Sequence, residues 1–217
     1  MSEFLIRDVH VDDLNGIVRI HVATFPDRAL VKLGSETIWR YYAFLLKEFN
    51  LSKPICAVAD KGSLAGFCFA GLYSGSFSGF LKSNLNFLIG RLLLRPWLIF
   101  DPVILELRKP VLKALRRILK RRRREKEATA SGPQNGEDLI KTRWGILAIA
   151  TDPKFQRKGV GERLMCSVED HAKTLNVEKL GLSVHPENIP AVRFYEKLGW
   201  VKVMTTAEWQ GEMEKRL

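Results

Sequence analysis

A six-residue stretch, QRKGVG at positions 156–161, has the residue types that bind phosphate groups. It follows an apolar run at 144–151 that predicts a buried strand, and apolar residues at helical spacing come after it. A loop between a strand and a helix brings backbone N–H groups to the positive end of the helix dipole. The two glycines let the backbone approach an anion closely, and the arginine and lysine add positive charge. The stretch therefore predicts a phosphate or pyrophosphate site formed by Gln156, Arg157, Lys158, Gly159, Val160 and Gly161.

A second patterned stretch, residues 180–200, also predicts a strand, a turn and a short helix. Asn188 is a favourable N-cap for that helix, Pro190 suits its first turn, and Gly199 suits its C-terminal cap. Tyr195 falls near the end of the same helix. An aromatic residue there is either a core residue with its hydroxyl at the rim or a proton donor at a site.

Together the two stretches resemble the acyl-CoA signatures of the GNAT superfamily of N-acetyltransferases. The first signature, Q/R-x-x-G-x-G/A, is matched by Gln156, Gly159 and Gly161. The second, N-x-x-A-x-x-x-Y-x-x-x-G-F, is matched by Asn188, Ala191, Tyr195, Gly199 and, in place of phenylalanine, Trp200. The resemblance implies an α/β fold with a mixed, mainly antiparallel twisted sheet flanked by helices. It also implies acetyl-CoA as cosubstrate, without a metal.

The same resemblance implies roles for individual residues. The strands of the two stretches are expected to splay apart and admit the pantetheine arm of the coenzyme. One of Ile149, Ala150 and Thr151 would supply an N–H to the thioester carbonyl, where negative charge grows as an amine attacks. The amides of residues 157–161 would bind the pyrophosphate. Asn188 would lie near the pantetheine arm, and Tyr195 would protonate the departing thiolate.

The sequence defines the acceptor side less closely. One branch of the family, the ribosomal-protein alanine N-acetyltransferases, has a glutamate on the fifth strand where this chain has Ser183. A serine cannot take the ammonium proton unaided at neutral pH, so the candidate bases are His185, Asp27, Glu36 and a water chain. In the family, two helices and the loop between them border the acceptor pocket. Helices predicted at 13–24 and 35–48 therefore give these candidate substrate contacts: Phe25, Asp27, Glu36, Tyr41 and Tyr42.

One segment, residues 73–143, has no counterpart in the family layout. The rest of the 217 residues predicts a single domain whose elements follow the order β-α-α-β-β-β-α-β-α-β-β, with the last strands at 201–206 and 208–215. The insertion has sixteen Lys and Arg and six Asp and Glu, a net charge of +10 out of the chain's +11. Its apolar part is interrupted by basic residues and a proline, and does not predict a membrane-spanning helix. A basic amphipathic helix is expected near 110–126.

Three interpretations of the insertion stay open. Basic residues beside an apolar stripe suit contact with an anionic membrane through residues 80–126. The same stripe suits packing on the sheet or on a second copy in a homodimer. Nucleic acid is disfavoured because aromatic residues do not alternate with the basic run. Widely spaced cysteines and an N-terminus without signal-peptide character favour the cytoplasm, with a peripheral place at the inner membrane face under the first interpretation.

These patterns and the resemblance predict direct transfer of an acetyl group from acetyl-CoA to a primary amine, without a covalent enzyme intermediate. The basic insertion would favour an anionic acceptor, such as an amino sugar on a nucleotide or on a lipid diphosphate. Two alternatives stay open. One is a protein or peptide N-acetyltransferase recruited by the basic segment, and the other is a CoA-binding module at a membrane surface without catalysis.

Overall fold

A computed structural model describes residues 4–47, 52–72, 76–106, 144–205 and 207–217. The strands of this part form one sheet: β1 (Leu5–Asp8), β2 (Lys53–Val58), β3 (Leu64–Leu72), β4 (Trp144–Thr151), β5 (Lys179–Ser183), β6 (Val201–Lys202) and β7 (Glu212–Arg216). Their spatial order is β1-β2-β3-β4-β5-β7-β6. Neighbouring strands are antiparallel except β4 and β5, which are parallel. The mixed, mainly antiparallel sheet expected from the sequence is confirmed.

The helices of the described residues lie on both faces of the sheet. They are α1 (Leu14–Thr24), α2 (Ala29–Leu33), α3 (Ser35–Lys47), α4 (Ser76–Ser83), α5 (Leu85–Leu94), α6 (Pro102–Glu106), α7 (Val160–Thr174) and α8 (Ile189–Lys197). Helices α4, α5 and α6 belong to the segment between β3 and β4. The basic helix predicted near 110–126 lies outside the described residues.

The central strand β3 separates two hydrophobic cores because successive side chains point to opposite faces. Cys68 and Ala70 pack in the core beneath α7, whereas Phe67 and Phe69 pack in the core beneath α1 and α3. Helix α7 buries the stripe that the sequence predicts, Val160, Leu164, Met165, Val168 and Ala172. The first core therefore fixes α7 on the sheet, and the second fixes the helices on the opposite face.

The predicted bounds of the last strand pair are wrong, and one short helix was missed. The last strand pair is shorter than 201–206 and 208–215, because the chain turns between β6 and β7 with Gly211 at a φ of +92°. A Cβ at Gly211 would lie 2.1 Å from the carbonyl oxygen of Val184, so only glycine fits at this position of the turn. The short helix α2 between the two predicted N-terminal helices was not expected. Within the described ranges, no helix has the length and apolar character needed to cross a membrane.

Candidate active site

The cleft begins where β4 and β5 separate. These parallel strands are joined at Gly145 and Gly181, near the start of β4. The following residues of β4 continue to pair with β3 as far as Thr151, which lies opposite Gly66. The edge of β4 that faces β5 is therefore open beyond this point, and its backbone N–H and C=O groups border a cleft. The splay expected for these two strands is present.

A β-bulge lies in β4 close to the separation. Phe69 of β3 is opposite Ala148, and Ala70 is opposite Ile146, so Leu147 is the extra residue. A bulge bends its strand and increases the local twist, and bulges are frequent next to active sites. This bend accompanies the divergence of β4 from β5. The side chain of Leu147 also lines the cavity described below.

The glycine loop leads from β4 into α7. Gly159 is the N-cap of α7 with a φ of +82°, a left-handed conformation that L residues with a side chain rarely adopt. Arg157 also has a positive φ, of 59°. A Cβ on Gly161 would lie 3.2 Å from Cζ of Phe194 and 3.7 Å from Oγ1 of Thr151. The loop thus brings the N-terminus of α7, with its free N–H groups, close to α8 and the end of β4, which suits a pyrophosphate.

Asp152 fixes the start of that loop, and the sequence reasoning did not identify it as a site residue. It is 3% exposed, and its carboxylate accepts hydrogen bonds from the Lys154 amide at 2.9 Å and from Arg19 at 2.6 Å. Burial raises the pKa of Asp152, but the Lys154 amide and the Arg19 guanidinium outweigh burial and lower it below its ordinary value. The ion pair links α1 to the end of β4. An Asp before Pro at a strand end is the signal that could have indicated this turn.

Helix α8 forms the other wall of the cleft. The side chain of Asn188 accepts a hydrogen bond from the Ala191 amide at 3.3 Å, and Gly199 has a φ of +84° just after the helix. Both predicted caps are confirmed. Tyr195 is 8% exposed, and its ring packs against Phe194 and Trp200 with centroids 5.2 and 6.2 Å apart. The two core aromatics hold the Tyr195 ring at the cleft.

One cavity of about 1510 Å³ extends from the glycine loop to helices α1, α3 and α5. It is lined by most of the predicted site residues: Ile149, Ala150, Thr151, Gln156, Arg157, Gly159, Val160, Gly161, His185, Asn188, Tyr195, Phe25, Tyr41 and Tyr42. Three others do not line it. The Lys158 ammonium lies over the Phe155 ring, 5.3 Å from its centroid. Glu36 pairs with Arg40 at 2.9 Å on the surface, and Asp27 is exposed.

The candidate base His185 lies at the rim of the cavity. Its side chain is 51% exposed, and Nδ1 lies 4.0 Å from the Glu187 carboxylate. Ser183, two residues earlier on the same strand, also lines the cavity. His185 is therefore accessible to solvent and lies on the same cavity as Tyr195.

A second histidine, His21, was not identified from the sequence. It lies on α1, is 6% exposed, and lines the cavity. Its Nδ1 is 2.8 Å from the Tyr42 hydroxyl, whereas its Nε2 is buried with no hydrogen-bond partner among the described residues. Thr24, one turn further along α1, also lines the cavity and has a buried hydroxyl without such a partner. The motif-based reasoning could not find them because neither belongs to a signature.

Burial around His21, Tyr41 and Tyr42 favours the uncharged forms of these side chains. Burial, together with the positive charge of Arg28, lowers the pKa of His21 to about 4. Burial raises the pKa of Tyr41 to about 12 and that of Tyr42 well above its ordinary value. The hydrogen bond between the Tyr42 hydroxyl and Nδ1 of His21 suits either neutral tautomer of the imidazole, because a tyrosine hydroxyl can donate or accept. At neutral pH His21 is therefore an uncharged ring beside the cavity, with one ring nitrogen that has no partner among the described residues.

Among the described residues, no cluster of His, Cys, Asp and Glu side chains is arranged to bind a metal ion. Cys56 and Cys68 are buried, and Cys166 is exposed. Burial raises the pKa of the Cys56 thiol to about 11, and burial likewise raises that of Cys68. These two thiols are therefore protonated at neutral pH and pack as small apolar side chains.

Comparison with known proteins connects this geometry to a family. Residues 128–200 match the model of the acetyltransferase (GNAT) family. A 55-residue segment is 42% identical to the ribosomal protein bS18-alanine N-acetyltransferase of Salmonella typhimurium; it makes up 25% of this chain and 37% of that protein. The match thus spans little more than a third of the relative's length.

Solved structures share the fold over nearly the whole chain. The PaiA N-acetyltransferase of Thermoplasma acidophilum, in complex with coenzyme A, has a TM-score of 0.57 and 14% identity, and the match covers 99% of both chains. The ribosomal-protein-S18-alanine N-acetyltransferase of Escherichia coli has a TM-score of 0.55 and 14% identity, covering 99% of this chain and 94% of that one. At these identities the likeness concerns the fold alone.

Proposed function

We propose that the chain is a member of the GNAT superfamily of N-acetyltransferases and that it transfers an acetyl group from acetyl-CoA directly to a primary amine. One observation carries this proposal. A single cavity connects the N-terminus of α7, the open edge of β4, Tyr195 and an acceptor compartment on the other side of the sheet. A coenzyme diphosphate and an amine can therefore approach the same stretch of β4 from opposite ends.

On the donor side, each part of the cleft has a defined task in the proposal. The amides of residues 157–161 and the dipole of α7 bind the diphosphate. An N–H on the open edge of β4, among Ile149, Ala150 and Thr151, donates to the thioester oxygen as it gains charge. The Tyr195 hydroxyl gives its proton to the departing thiolate. Asn188 orders the start of α8, on which Tyr195 lies.

The amine must lose a proton before it can attack. His185 lies on the cavity with access to solvent, and we propose that it, or a water bound beside it, receives this proton. His21 does not suit this task. With a pKa of about 4, its imidazole is too weakly basic to compete for the proton of an alkylammonium ion. We assign His21 a positioning role instead, as a hydrogen-bond partner of the acceptor.

For the acceptor class we propose a primary amine carried by an anionic amino sugar or by a lipid-linked molecule. Arg28 lies at the acceptor end of the cavity and Arg157 at the loop end, so a negatively charged molecule meets favourable charge in both places. A polycationic acceptor would meet repulsion there. A panel of amino-sugar nucleotides, lipid-linked amino sugars and polyamines tests the proposal, which fails on this point if only the polyamines are acetylated.

The described part of the insertion supports contact with an anionic membrane. Leu93, Leu94, Trp97 and Phe100 are 65% to 80% exposed and lie close in sequence to Arg91. Exposed apolar side chains beside basic ones suit the interface of an anionic bilayer. Co-sedimentation with phosphatidylglycerol vesicles, and not with phosphatidylcholine vesicles, is the expected result, with Trp97→Ser weakening it. If the protein sediments with neither and light scattering shows a dimer, the patch is instead an interface between two copies.

The central test follows free thiol release from acetyl-CoA in the presence of an acceptor panel. Tyr195→Phe removes only the hydroxyl, so we expect the rate to fall about a hundredfold or more while the affinity for desulfo-CoA stays within about twofold. Binding is measured separately by calorimetry. An unchanged rate in Tyr195→Phe would remove the proton-donor role, and absence of any coenzyme binding would remove the proposed function.

A protein N-terminus is the second candidate acceptor. The 42% identical segment of the ribosomal-protein acetyltransferase favours it, whereas Ser183 at the glutamate position disfavours it. Mass spectrometry of N-terminal alanine peptides after incubation with labelled acetyl-CoA separates the two candidates. A coenzyme-binding module without catalysis would bind desulfo-CoA and release no thiol with any acceptor.

A further inference from the structure

The acceptor compartment has an apolar wall that a small amine does not require. Every described residue that α2, α4, α5 and α6 contribute to the cavity lining has an apolar side chain, among them Leu30, Phe80, Leu88, Ile89 and Ile104. Three of these four helices come from the segment between β3 and β4, the part of the chain that departs from the family layout. We propose that this compartment binds an aliphatic chain of medium length or longer, an inference that rests on the proposed function.

Size supports the same inference. Ligand pockets usually measure roughly 300–1,000 Å³, whereas this cavity measures about 1510 Å³. The pantetheine arm and an acetyl group enter it from the loop end and leave the wall of α2, α4 and α5 uncovered. Polar groups placed against the leucine and phenylalanine side chains of this wall would lack partners, so the wall suits an aliphatic part of the ligand. An alkyl chain covers these side chains and loses no hydrogen bond.

The compartment also has a polar point where such a chain could end. His21 Nε2 and Thr24 Oγ1 are buried polar atoms without partners among the described residues, and both residues line the cavity. They lie three positions apart on α1 and therefore on the same face of that helix. An amide or hydroxyl group at the head of an aliphatic chain can donate as well as accept, and would pair with these atoms. The chain itself would then extend along α4 and α5.

The aliphatic chain could belong either to the acyl group of the donor or to the amine acceptor. Two series of binding measurements distinguish these sources. The first measures the affinity of acyl-CoAs from acetyl to decanoyl. The second measures the affinity of linear alkylamines from propyl to decyl, with and without desulfo-CoA. In the series that corresponds to the natural source, we expect the Kd to fall about fourfold for each added methylene until the compartment is filled.

A matched pair of variants on α5 links the effect to the compartment. Ile89 lines the cavity and is 47% exposed, so Ile89→Glu places a charge at the wall without burying it fully. Leu93, one turn later, is 75% exposed and does not line the cavity. Ile89→Glu should abolish the chain-length dependence, and Leu93→Glu should keep it. Melting temperatures of both variants check that they fold.

The outcomes separate this inference from the proposed function. If desulfo-CoA binds but both series are flat in the wild-type protein, the aliphatic compartment is refuted and acetyl transfer is not. If the series is steep in the wild type and equally steep in Ile89→Glu, the chain binds elsewhere and the inference also fails. If desulfo-CoA does not bind but the alkylamine series is steep, the compartment is upheld and the proposed function fails.

Discussion

The buried histidine on α1 should make the stability of the protein depend on pH. His21 is 6% exposed, and burial together with the charge of Arg28 lowers its pKa from the ordinary 6.5 to about 4. Below pH 6.5 the unfolded chain therefore takes up a proton at this residue that the folded protein does not. The free energy of unfolding should fall as the pH falls, and the His21 contribution is lost between pH 6.5 and about 4.

The size of the effect follows from the two pKa values. A difference between 6.5 and about 4 corresponds to ~3 kcal/mol over the whole range, of which ~2 kcal/mol is lost between pH 7.5 and pH 5. His21→Asn is the suitable change, because the asparagine amide can still form a hydrogen bond with the Tyr42 hydroxyl, as donor or as acceptor. The variant is expected to be less stable than the wild type at neutral pH. As the pH falls, the difference between their free energies of unfolding should shrink.

Urea unfolding at pH 7.5, 6.5, 5.5 and 5 measures this difference. Carboxyl groups titrate at lower pH than histidine, and their contribution to the pH dependence of stability is the same in both proteins. The same holds for His171, whose pKa is also lowered by burial. His185→Asn removes a histidine that is half exposed and serves as the control, with a pH dependence close to that of the wild type. Parallel curves for wild type and His21→Asn would show that His21 is not buried as a neutral ring. The positioning role proposed for it would then lose its basis.

Three further changes test the cleft. Gly161→Val adds side-chain atoms beside Phe194 at the loop, so the Kd of desulfo-CoA should rise at least tenfold in calorimetry while the melting temperature changes little. Asp152→Asn keeps the shape but loses the charge opposite Arg19; thermal unfolding at pH 7 should show a loss of about 1–2 kcal/mol, and this difference should vanish as the pH falls through the lowered pKa of Asp152. Deleting Leu147 removes the bulge residue but keeps the flanking register with β3. Cooperative unfolding should survive the deletion while coenzyme affinity falls, whereas Leu147→Ala should keep both.

The donor half of the site could be predicted from the sequence because local features determine it. Gly159 is left-handed at the helix N-cap, Asn188 caps α8, and the stripe beginning at Val160 is buried, each as its own residue type and spacing indicate. Such features need only neighbours within a few positions along the chain. The family resemblance then places the two local features beside each other.

The acceptor half could not be predicted in the same way because it depends on contacts between distant segments. His21 and Tyr42 meet across two helices, and Asp152 meets Arg19 from 133 positions away. Glu36 is suitable by residue type as a base, but its helix turns it outward, where Arg40 pairs with it. The packing of α1 and α3 on the sheet determines which of these side chains are exposed and which partners they meet. Local patterns in a single sequence do not predict that packing.

Strand β4 explains why the two halves differ in this respect. Its first residue, Trp144, follows the segment that departs from the family layout, and its last, Thr151, leads into the coenzyme loop. A change in the helices that precede β4 alters the wall opposite Leu147 without altering Gly159 or Gly161, which are more than ten positions downstream. Acceptor choice can therefore change while the donor signature stays intact. Under the proposed function, the apolar lining of α4 and α5, rather than the glycine loop, would therefore determine the choice of substrate.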